Sequence, residues 1–101
     1  KSDIPIEAGR IPTSPNELNE RTQTVNKFQS QGFTLWGLSE HDGLAWYLFI
    51  RQEGAPPAGV ISRFGKDTES IQIGLVEAYE DGWLPNALAG TEEDTYVGFL
   101  R

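Results

Sequence analysis

The chain has 101 residues and a formal net charge of −7, from 15 acidic and 8 basic side chains, with one histidine and no cysteine. This composition excludes a disulfide framework, a thiolate metal site, a cysteine nucleophile and any two-histidine metal motif within one chain. Nucleic acid is not expected as a partner, because phosphate backbones attract basic proteins. A membrane is not expected either, because no apolar run approaches the roughly 18 residues a spanning helix needs.

A chain of this length can bury one modest core, and eleven aromatic residues supply much of the area for it. A first strand is expected over residues 4–11. Ser14, Pro15 and Glu17 then form a capping box: an N-cap hydroxyl, a proline at the first helical position and a carboxylate at the third. Leu18, Val25 and Phe28 continue as an apolar stripe and Gly32 is a natural stop, which predicts a helix over 15–31.

Strands are expected over 33–39 and 44–52, joined at Asp42-Gly43, where the residue types supply the positive φ of a tight hairpin. In the first of these strands, Phe33 and Leu35 are placed on one face, and Trp36 and Leu38 on the other. Residues 53–59, with two prolines and two glycines, read as a connection. A strand over 60–64 follows. The segment from Ile71 fits both an alternating strand and the helical spacing of Ile71, Leu75, Ala78 and Tyr79. Strands over 83–89 and 95–100 complete the pass.

An internal repeat decides between helix and strand. Shifted by 50 residues, Ala8-Gly9 falls on Ala58-Gly59, Gly32-Phe33 on Gly82-Trp83, Trp46 on Tyr96, Phe49 on Phe99 and Arg51 on Arg101. Residues 68–81 then correspond to the capped helix. The expectation is a single α+β domain over 1–101 built from two βαββ repeats, approximately 1–51 and 52–101. It would be a two-layer sandwich with an antiparallel sheet and two helices on one face, ferredoxin-like in general character.

No constellation for catalysis stands out. His41, between Glu40 and Asp42, is the weak candidate for an acid–base group, although turn chemistry explains the triplet as well. Two acidic clusters, Glu77, Glu80, Asp81 and Glu92, Glu93, Asp94, lack the spacing of a cation loop and read as solvated faces. Residues 1–50 hold four basic and six acidic groups, and residues 51–101 hold four and nine, so the second half carries most of the negative field. Arg51, Arg63 and Arg101 are expected to pair with surplus carboxylates. Trp46 and Trp83 have aromatic counterparts in the repeat and read as structural. Trp36 and Tyr47 do not, and are expected to serve contacts specific to this chain.

These features favour an acidic interaction module of the adaptor, inhibitor or immunity type, binding a basic protein surface through Trp36, Tyr47 and the two acidic clusters, without cofactor or metal. The alternative is a cofactor-independent enzyme or ligand-binding domain, in which a dimeric α+β barrel encloses Trp36, Tyr47 and His41. A homodimer is compatible with either. The compartment stays open, since the lack of cysteine suits the cytosol and equally a periplasmic or secreted domain, with the cytoplasm slightly favoured.

Overall fold

In the computed structural model, residues 5–12, 17–51, 53–54 and 56–101 are described. The elements are β1 (Ile6–Arg10), α1 (Glu17–Ser30), β2 (Phe33–His41), β3 (Leu44–Arg51), β4 (Gly59–Phe64), α2 (Thr68–Glu80), β5 (Leu84–Gly90) and β6 (Thr95–Leu100). Residues 68–80 are helical, as the repeat implied. The Ser14-Pro15 cap lies outside the described residues.

Local chemistry accounts for the turns. Asp42 (φ 55°) and Gly43 (φ 76°) both adopt positive φ, the type I′ geometry that matches strand twist in a two-residue hairpin. Asp67 caps α2: its Oδ2 accepts the Ser70 amide at 2.9 Å and the Ser70 hydroxyl at 2.6 Å. At the other end, Gly82 (φ 87°) lets the Gly82 amide reach Tyr79 O at 3.0 Å and the Trp83 amide reach Ala78 O at 2.9 Å, a Schellman stop.

The expected single sheet is instead two three-stranded antiparallel sheets, with strand orders β1-β3-β2 and β4-β6-β5. The helices do not share one face of one sheet; each lies on its own. Phe28 of α1 packs on Phe33, Tyr47 and Phe49, with ring centroids 5.0–5.8 Å apart. Gly74 of α2 sits directly on the Phe64 ring, with no room for a β-carbon between them. We call the helix-bearing face of each sheet its front.

The two hairpins share one register at a shift of 50. Leu35↔Phe49 matches Pro85↔Phe99, Gly37↔Leu48 matches Ala87↔Gly98, and each hairpin has a β-bulge, at Trp36 and at Asn86. The first strands depart from that shift. Ile6 pairs with Ile50, whereas Gly59 pairs with Leu100, so β1 and β4 correspond at a shift of 53. The ungapped match of Ala8-Gly9 to Ala58-Gly59 is therefore not the structural one. The chain between β4 and α2 is three residues shorter than that between β1 and α1, which restores the shift of 50 at the helices.

The bulge also corrects the face assignment in β2. After Trp36 the alternation resets, Leu38 pairs with Tyr47, and Leu38 packs against the same core as Phe33 and Leu35.

The core lies between the sheets. Its cluster joins Ile11, Val25, Phe28, Phe33, Leu35, Ala45 and Phe49 from the first half with Ile61 and Tyr96 from the second. Strand alternation puts Ile61 on the face of its sheet opposite Phe64, so the back of the second sheet covers the front of the first. Leu35 is fully enclosed, its Cδ2 seated over Gly98. Asn86 Nδ2 donates to Leu35 O at 2.8 Å, joining the two bulges. Arg21, buried on α1, donates from Nε to Ile61 O at 3.1 Å, and Gln29 Nε2 donates to Pro57 O at 2.7 Å. No helix among the described residues is long and apolar enough to cross a membrane.

Candidate functional site

The residues singled out from sequence occupy separate places. His41 stands at the end of β2, its Nε2 3.4 Å from Asp42 Oδ2, with both side chains about three-quarters or more exposed. Trp36 is 53 % exposed at the β2 bulge. Tyr47 belongs to the aromatic cluster under α1, with centroids 5.8 Å from Phe28 and 5.4 Å from Phe49. Burial, with Glu7 nearby adding to it, raises the Tyr47 phenol above its usual range. The groove that Tyr47 borders is lined by neither Trp36 nor His41.

The acidic clusters are also apart. Glu77, Glu80 and Asp81 lie at the C-terminal end of α2. Glu92, Glu93 and Asp94 form the β5–β6 turn, at the far end of a seven-residue strand, roughly 20 Å away at the rise of an extended chain. The first cluster sits where the helix dipole is negative, and no basic residue occupies that last turn. Arg101 compensates from outside the helix: its Nη2 donates to Asp81 O at 2.6 Å while its guanidinium lies 4.4 Å from the Trp83 ring. The second cluster borders a cavity of about 300 Å³ against Gly43 and Leu44 of the first hairpin. Of the three arginines expected to pair with carboxylates, Arg63 lies 3.9 Å from Asp94, whereas Arg51 lies over the Phe33 ring. Among the described residues, no group of three or more histidine or acidic side chains is arranged to hold a metal ion.

Two open apolar surfaces lie elsewhere on the molecule. The first is on the second half. No residue of α2 is buried, and Ile73, Val76 and Tyr79 are at least half exposed, as is Leu88 of β5. Between them runs a groove of about 400 Å³ lined by Leu75, Pro85, Asn86, Ala87, Leu88 and Val97. The sequence held a signal for this: α2 is apolar nearly all round, at positions 71, 73, 75, 76, 78 and 79, which marks a helix meant to be covered on more than one side. The second surface is the back of the first sheet, where Ala8, Gly37, Trp46 and Leu48 line a shallower groove of about 200 Å³. Trp46, read from the repeat as structural, is only half-buried there, whereas its counterpart Tyr96 is buried in the core.

No protein-family model, curated protein or solved structure matches this chain.

Proposed function

We propose that the chain is a non-enzymatic interaction module built from two copies of one βαββ unit, and that its second copy carries the contact surface for a partner with a basic surface. The shared hairpin register and the paired bulges at Trp36 and Asn86 support the two-copy reading. The observation that carries the functional reading is the outer face of α2, where Ile73, Val76 and Tyr79 are exposed on a helix that also bears Glu69, Glu77 and Glu80. Apolar contact area within an acidic surround suits a partner that is apolar at the centre and basic at the rim. The module would act as an adaptor or inhibitor by occupying that surface.

The test is capture from host lysate with immobilised wild-type chain, with a Val76→Ser/Tyr79→Ser variant, and with a variant whose Glu69, Glu77 and Glu80 are glutamines. Proteins that bind the wild type, elute with added salt and are lost by both variants are the expected result. An identical set of bound proteins on all three chains would refute the reading.

A further inference from the structure

The two open grooves are the two halves of an interface that the molecule closes once internally. Between the halves, the front of the first sheet is capped by the back of the second. Val25 and Leu35 are enclosed there, beneath Ile61, Tyr96 and Gly98. Shifting Val25, Leu35 and Leu38 by 50 gives Leu75, Pro85 and Leu88, which line the open groove beside α2. The same shift in reverse takes Tyr96, Gly98 and Ala87 to Trp46, Leu48 and Gly37, and the first-strand shift of 53 takes Ile61 to Ala8. Those four line the open groove on the back of the first sheet. The second half therefore presents a front that α2 covers only in part, open at Leu75, Pro85 and Leu88, the first half presents an open back, and one is the partner type of the other in the internal contact.

Charge does not oppose the fit on the side of the first sheet. Strand pairing places Ile6, Ala8, Arg10, Trp46, Leu48 and His41 on the back of the first sheet, and no carboxylate among the described strand residues falls there. Glu69, Glu77 and Glu80 of α2 lie, by helical spacing, on the side of the helix away from Leu75 and the groove, so the fit rests on shape and apolar lining.

We infer that the partner of the α2 face is a second copy of this chain, docked through the back of its β1-β3-β2 sheet, head to tail. This rests on the interaction-module reading of α2 and names its partner. The contact is heterologous, so it leaves a free front and a free back at the two ends and continues with concentration instead of stopping at a dimer.

Sedimentation velocity of the wild-type chain from micromolar to millimolar concentration should show dimers and then longer species. Leu88→Glu blocks the front and Ala8→Glu blocks the back. Both positions are exposed, and circular dichroism checks that each variant keeps its fold. Each variant alone should self-associate at least about tenfold more weakly, because a carboxylate is forced into an apolar contact. An equimolar mixture should regain wild-type affinity yet stop at a heterodimer, since the one remaining contact joins an intact front to an intact back.

A wild-type chain that stays monomeric at millimolar concentration overturns the inference. So does a closed dimer that Leu88→Glu abolishes, Ala8→Glu leaves intact and mixing does not restore, which is the signature of two α2 faces meeting. If a monomeric chain still captures a salt-sensitive lysate protein through Val76 and Tyr79, the interaction-module reading survives and the second-copy partner falls.

Discussion

Gly98 is the residue on which the sheet-to-sheet contact is most sharply testable. A β-carbon at this position would lie 2.7 Å from Leu35 Cδ2 and 3.5 Å from the Ala87 β-carbon. Apolar carbons settle about 3.5–4.0 Å apart, so Gly98→Ala demands a shift of about 1 Å from a fully buried leucine. Overpacking of this kind costs about 1–3 kcal/mol, offset by about 0.5–1 kcal/mol from removing glycine's flexibility in a strand. The net loss should be about 1–2 kcal/mol, which for a domain of this size is a fall of several degrees in Tm at about 4–8 °C per kcal/mol. Leu35→Ala alone should cost about 2–5 kcal/mol through the cavity it leaves. In the double variant the added methyl enters that cavity, so the combined loss should fall short of the sum by about 1 kcal/mol or more. Urea denaturation of the four chains gives the cycle. A neutral or stabilising Gly98→Ala, or two losses that add to within about 0.5 kcal/mol, would show that Leu35 does not seat on Gly98.

Three further outcomes follow from the same structure. Gly74→Ala should destabilise the fold by about 1 kcal/mol and so lower Tm, although glycine-to-alanine in a helix ordinarily gains about that much, because the Phe64 ring occupies the position of the new β-carbon. Arg21→Met should cost about 2 kcal/mol in urea, since it removes the buried Nε donor to Ile61 O that ties α1 to the second sheet. Asp67 is held below the usual carboxylate range, first by the Ser70 hydroxyl and then by the Ser70 amide. Its stabilising effect is complete above its unfolded pKa and is lost as pH falls through the lower folded value. Tm measured against pH should therefore decline less steeply in acid for Asp67→Asn than for the wild type, and parallel acid limbs would contradict the cap.

Element identity was largely legible in the sequence because it rests on local chemistry. Asp42-Gly43 and the stops at Gly32 and Gly82 each specify a backbone conformation that few other residues accept, and the structure places positive φ at all of them. The segment from Ile71 was ambiguous locally and became readable only by comparison with residues 17–30. Sheet assembly was not legible. Alternation within a strand says which residues share a face, but not whether two three-stranded sheets join edge to edge or stack front to back. Ile61 and Tyr96 enter the first half's core through a choice that no local pattern records. Simple alternation puts Leu38 with Trp36 on the face opposite Leu35, and the bulge at Trp36 returns Leu38 to the core face. Gly37, a lone glycine inside a strand, was the available sign of it. The helical spacing of α2 identifies the element, but it does not say what covers the apolar positions left exposed at Ile73, Val76 and Tyr79.

α1 is fastened on two sides, by Phe28 to its own sheet and by Arg21 and Gln29 to the next, whereas α2 is fastened on one. Local opening follows this difference. The covered side of α1 opens when the two sheets separate, which is close to global unfolding, but α2 needs only its contacts with Phe64 and β5 to loosen. Stability is thus graded along the chain, highest where the halves meet and lowest at the last helix, and anything that seats on α2 acts first by raising the weakest end of the fold.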